Sequence, residues 1–115
     1  MSTPVDVDNL NMLKELIGDD LKEILNAYLS TAPGLLNQIE NAILSKNSED
    51  LRLHAHSLKG SSANIGAHPL SQVSATLEQM GKDNDIGPQA EQTFNQIKNE
   101  NTAVVAFLNS YMEQM

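Results

Sequence analysis

Apolar residues recur along this chain at helical spacing and nowhere alternate as they would in a strand. Leu10, Leu13, Leu16 and Ile17 fall at i, i+3, i+6 and i+7, which predicts a short first helix ending near Gly18. Asp19 and Asp20 follow where an N-cap and a negative first turn are favoured, ahead of Leu21, Ile24, Leu25, Tyr28 and Leu29. Leu35, Leu36, Ile39, Ile43 and Leu44 continue beyond Pro33 and Gly34 with no polar loop between the two stripes. The choice lies between two short helices and one long helix kinked at the proline. The missing loop favours one helix over about residues 19–46.

Ser48, with Glu49 and Asp50 behind it, reads as the N-cap and acidic first turn of a third helix running to about Gly66. His68 and Pro69 fit the start of a fourth, with proline at its first position and Leu70, Val73, Leu77 and Met80 as its apolar side. The stretch from Gly81 to Pro88 has turn formers and no periodicity, so it is expected to be a loop. A last helix, about 89–113, carries Phe94, Ile97, Val104, Val105, Phe107, Leu108, Tyr111 and Met112. The expected fold is therefore all-α: an up-down-up-down four-helix bundle with a short additional N-terminal helix, one domain over 1–115. A bundle alone does not reveal a function.

Composition narrows the chemistry. With no cysteine, disulfide scaffolds, thiol redox chemistry and thiolate metal sites are excluded. A net charge of −8 makes nucleic acid and anionic membranes poor partners. Two tyrosines and two phenylalanines without tryptophan leave little for a base-stacking platform. Residues 1–10 carry Asp6 and Asp8 and lack the basic-then-apolar pattern of a signal peptide, and no apolar run approaches the ~20 residues of a membrane span. A cytoplasmic monomer is the expectation. The charge is uneven. Residues 52–82 hold Arg52, Lys59 and Lys82 against Glu78 alone, a local +2 that leaves −10 for the rest.

The third helix is unusual on one side. At about 100° per residue, Leu51, Ala55, Leu58, Ser62 and Ile65 fall within about 80° of one another and form its core stripe. Beside them run Arg52, His56, Lys59, Gly60 and Ala63. Gly60, four residues after His56, lies next to the imidazole on the helix surface. A glycine in an exposed helix interior costs about 1 kcal/mol relative to alanine, so it needs a reason. One reading makes it the end of the helix. The stripe, however, continues through Ser62 and Ile65, and Gly66 with Pro69 makes a better terminator, so Gly60 is read as lying within the helix. A bare patch then gives another protein room to reach the ring. Lys59, three residues on, and Arg52, four residues back, are placed to offset negative charge carried on the imidazole.

His54 and His56 are two residues apart, nearly opposite on a helix, and cannot share a metal ion. His68 lacks a partner at the spacing of a zinc site, so both other histidines are read as ordinary ones and no metal site is expected. No nucleophile elbow, Walker loop or His-Glu-x-x-His occurs, which argues against an autonomous enzyme.

The run Ala55-His-Ser-Leu-Lys-Gly-Ser-Ser-Ala-Asn-Ile-Gly66 closely resembles the motif of histidine-containing phosphotransfer (HPt) domains, the helical-bundle intermediates of His–Asp phosphorelays. Helix order, length and the Leu77-Glu-Gln-Met-Gly81 stretch extend the resemblance over essentially the whole chain, which looks like a stand-alone bacterial-type member. The resemblance implies that His56 accepts the phosphoryl group, Lys59 helps hold it and Gly60 clears space for the partner. Ser61 matches a frequently small polar position, and Glu78 one where a polar side chain lies near the other ring nitrogen and would fix the tautomer. The implied partners are receiver domains of a hybrid sensor kinase and of a response regulator. No cofactor of its own is implied, with magnesium expected on the receiver. Leu13 and Tyr28 are candidate contributors to docking, although core placement suits each. The rival readings are an interaction module of the same fold without phosphorylation and, more distantly, a small enzyme or metal-binding bundle.

Overall fold

A computed structural model describes residues 3–115 and forms five helices; Met1 and Ser2, part of the domain expected over 1–115, lie outside the described residues. The first stripe is α1 (Val7–Ile17). Its N-terminus is capped by Asp6, whose carboxylate accepts from the backbone of Asp8 and Asn9, and it stops at Gly18 with φ 62°. The two stripes around Pro33 form the single helix α2 (Asp20–Ser45), as the absence of a polar loop implied. Pro33 is exposed, and hydroxyls in the turn before it bond carbonyls one turn back, Ser30 Oγ to Asn26 O at 2.7 Å and Thr31 Oγ1 to Ala27 O. Asp19 holds the N-cap position of α2 but makes no capping bond; Asp20 and Glu23 supply the negative first turn.

Helix α3 (Ser48–Asn64) corrects the expected cap by one residue. Asn47, not Ser48, accepts the Asp50 N–H at 3.0 Å, because Asn47 has the extended backbone a cap needs while Ser48 is already helical. The helix passes unbroken through Gly60 and ends two residues before Gly66, whose φ of 78° turns the chain. Helix α4 (His68–Lys82) follows an N-cap at Ala67, so Pro69 is its second residue rather than the expected first, and it extends through Gly81 and Lys82, so the loop is only residues 83–87. Helix α5 (Pro88–Glu113) closes the chain.

Connections of two to five residues between α2, α3, α4 and α5 force each helix to run back along its predecessor, and α5 returns to pack on α2. The long dimension of 42 Å matches the ~39 Å of a 26-residue helix. The bundle is all-α and up-down-up-down. α1 packs on α2 and is tied to one end, where Asp6 N–H donates to Gly66 O at 2.9 Å and Tyr111 OH donates to Asn11 Oδ1 at 2.9 Å.

The core follows the stripes, with Leu21, Leu25, Ile39, Leu51, Leu58, Leu70, Leu77, Ile97 and Leu108 sealed from solvent. Leu16, Ile24 and Leu44, counted with the stripes, are exposed instead. Leu44 stands about 100° beyond Ile43, on the side away from buried Ile39 and Ala42, and so points out of the core face. Tyr28 is buried, and its hydroxyl donates to Asn101 Oδ1 at 2.7 Å, so the core holds this residue rather than presenting it for docking; Leu13 is half-buried. Among the described residues no buried side-chain nitrogen or oxygen lacks a partner, and no helix is long and apolar enough to cross a membrane.

Candidate functional site

The site is built where α3 meets α4. Gly81 makes the approach close: a Cβ there would lie 2.7 Å from the backbone nitrogen and 2.9 Å from the Cα of Arg52. Only a residue without a side chain lets α4 lie this near the turn of α3 that precedes His56. Ser71 adds a second tie, its hydroxyl donating to Lys59 O at 3.1 Å.

This crossing sets Glu78 beneath His56. The imidazole is 61% exposed while the Glu78 side chain is 6% exposed, and His56 Nδ1 lies 2.9 Å from Glu78 Oε2. Burial by itself would raise the Glu78 pKa, but hydrogen bonds from Lys59 and His56, with their charges, outweigh it and hold the carboxyl below its ordinary range. An ionised carboxylate can only accept, so Nδ1 must carry the proton of that bond. In the neutral ring the lone pair is then on Nε2, the nitrogen on the solvent side.

Lys59 Nζ lies 2.6 Å from Glu78 Oε1. It is therefore gathered to the same carboxylate as His56 and does not stand free over the ring. Lys82, one turn after Glu78, completes the cluster with Nζ 3.7 Å from Oε2. Sequence reading counted its charge in the basic island without giving it a place in the site. The signal was the i, i+4 spacing from Glu78.

Gly60 is on the exposed strip beside His56, and a Cβ there would meet nothing within 4 Å. Leu53, one turn before His56, is an exposed apolar residue on the same helix. The other expected residues make their side-chain bonds outside this cluster. The Arg52 guanidinium is paired with Glu49, its neighbour at i−3. Ser61 turns its hydroxyl to Leu58 O at 3.3 Å and lines a groove with Ile24, Tyr28 and Asn64 between α2 and α3. His68 Nε2 is 3.8 Å from Asp6 Oδ2, remote from the cluster in sequence, and His54 is half-buried. Among the described residues no three His, Asp or Glu side chains converge as metal ligands.

The chain has recognisable relatives. The model of the Hpt domain family matches residues 23–107. Sensor protein TorS of Escherichia coli (strain K12) is 38% identical over 76 residues, 65% of this chain and 8% of that protein. Phosphorelay intermediate protein rdeA of Dictyostelium discoideum is 29% identical over 89 residues, 77% of this chain and 35% of that protein. The chain thus spans well under two thirds of the length of either. Histidine-containing phosphotransfer protein B (HptB) of Pseudomonas aeruginosa PAO1 has the same fold, with a TM-score of 0.93 over 100% of this chain and 99% of that one at 23% identity. The histidine-containing phosphotransfer domain of ArcB from Escherichia coli follows at a TM-score of 0.71, covering 93% of this chain and 94% of that one at 17% identity.

Proposed function

The chain belongs to the Hpt domain family, and from that premise we propose that it is a phosphorelay intermediate whose phosphoryl carrier is His56. The observation that supports this most is the pairing of an exposed imidazole with a buried carboxylate at 2.9 Å, which leaves Nε2 as a nucleophile facing solvent. The donor is a receiver domain bearing an aspartyl phosphate. The Nε2 lone pair attacks phosphorus as the bond from phosphorus to the aspartyl oxygen breaks, and the carboxylate departs in line. Nδ1 keeps its proton through the step, so the ring becomes cationic, and the Glu78 carboxylate opposes that charge as the acidic partner of a catalytic histidine does.

The receiver brings the magnesium ion and most of the electrostatic stabilisation. This chain supplies the nucleophile, the carboxylate that orients it, Lys59 as countercharge, and a surface. Gly60 leaves that surface open beside the ring, and the exposed side chains of Leu53 and Ile24 offer it apolar contact. Reversal of the same step passes the group to a second receiver, so the chain is a carrier between a hybrid sensor kinase and a response regulator and not an autonomous enzyme.

Incubation with a phosphorylated receiver tests the reading. It should yield an acid-labile, base-stable phosphoprotein, and His56→Gln should yield none. Label that persists in that variant refutes the assignment.

A further inference from the structure

The proposed function asks Lys59 to serve a phosphoryl group, yet its ammonium is held at 2.6 Å by Glu78. Releasing it would leave a buried carboxylate short of a cation, which is unfavourable unless another charge takes over. Two groups already stand at the other oxygen. His56 Nδ1 is 2.9 Å from Oε2, and Lys82 Nζ is 3.7 Å from the same atom. Lys82 is 51% exposed and sits one helical turn from Glu78, so a change of rotamer can shorten its separation to the ~2.8 Å of a charge-assisted hydrogen bond.

We propose that Lys82 is a positioning residue that takes over the Glu78 carboxylate when Lys59 moves to the phosphoryl group on His56. The inference rests on the phosphocarrier reading and deepens it. Phosphorylation at Nε2 makes the ring cationic while its proton remains against Oε2, so His56 and Lys82 together hold one oxygen as Lys59 leaves the other. Lys82 then acts through Glu78. It need not touch the phosphoryl group or the receiver.

The alternative is that Lys82 attracts the phosphoryl group or the receiver directly, and a double-mutant cycle separates the two. The intact chain and its Lys82→Met, Lys82→Arg, Glu78→Gln and Glu78→Gln/Lys82→Met variants are each equilibrated with one phosphorylated receiver, and the label on either protein is measured. With Glu78 present, Lys82→Met should shift the equilibrium away from phosphohistidine by about fivefold, the scale of one partly exposed ion pair. Lys82→Arg should restore it. With Gln at position 78, Lys59 is already free, so Lys82→Met should change nothing. Equal shifts in both backgrounds, or no shift with Glu78 present, overturn the proposal while leaving His56 as the carrier. Failure of the unaltered chain to take up label overturns the carrier reading and this inference with it.

Discussion

Gly60 offers a substitution whose effects on folding and on transfer should have opposite signs. It lies within α3, four residues before the last, and its φ is not positive. Nothing stands within 4 Å of a Cβ built there. The protein therefore bears the backbone entropy of glycine in a helix without using the space for its own packing. Gly60→Ala should recover about 0.8–1 kcal/mol of stability, and Gly60→Gln nearly as much because glutamine is also a good helix former. For a chain of this size that is a rise in Tm of about 4 °C.

Transfer should respond in the other direction. On a helix, positions four apart are surface neighbours, so the glutamine side chain would lie beside the His56 ring where a receiver must approach. Holding the reacting atoms even an ångström from their productive separation costs roughly a hundredfold in rate. Single-turnover transfer from a phosphorylated receiver, read beside a thermal melt of each variant, measures both quantities. The expected order of rates is unaltered chain, then Ala, then Gln, with melting temperature rising from the first to the other two. A Gln variant that melts higher and transfers at the unaltered rate refutes the access argument, and one that melts lower refutes the reading of the open space.

Gly81 is the converse case. Its added Cβ would stand 2.7 Å from the Arg52 backbone nitrogen, so Gly81→Ala should lose about 1–3 kcal/mol by overpacking, measured by denaturant unfolding; a midpoint equal to that of the unaltered chain would contradict the crossing geometry. Glu78 should leave a mark on acid stability. Because its folded pKa is depressed, the carboxylate's contribution is complete above the ordinary carboxylate pKa and fades as pH falls through the lower folded value. The stability advantage over Glu78→Gln should therefore be present at neutral pH and shrink below about pH 4. A difference that stays constant from pH 7 to 3 would show that the pairing with His56 and Lys59 does not favour the charged form.

How far the sequence reaches into this site depends on the separation of the residues involved. His56, Lys59 and Gly60 sit within one helix, where spacing alone sets relative position, and the structure keeps all three in α3, with His56 and Gly60 exposed. The cluster around Glu78 is different. His56 and Glu78 are 22 residues apart, and a helical wheel of α3 cannot say which turn of α4 lies against it. That register is set by Gly81, which reads in sequence as a loop residue and acts as the contact point of two helices. Arg52 shows the limit on the other side. Its spacing from His56 was visible, but so was Glu49 three residues before it, and in the structure the guanidinium pairs with Glu49. Asn47 and Ser48 are both good caps by composition, and only the backbone angle at Asn47 decides between them.

A carboxylate beneath the His56 ring looks unfavourable for the proposed carrier at first, since it adds negative charge next to a phosphoryl group that is itself negative. Its chemistry explains the arrangement. An amide at position 78 could present either an acceptor or a donor to Nδ1, whereas an ionised carboxylate accepts only and so selects the single tautomer with Nε2 free. The charge this introduces is met locally. Lys59 and Lys82 both contact the carboxylate, which leaves the cluster at a net +1 while His56 is neutral. That surplus accounts for half of the +2 between residues 52 and 82; Arg52, the remainder, is paired with Glu49 just outside the segment. The positive charge that pairs directly with Glu78 is therefore carried by two lysines on one buried acid. A site of this kind does not attract anions over a wide surface. On the proposed takeover by Lys82, it would release a cation to His56 as that histidine acquires a group to be neutralised.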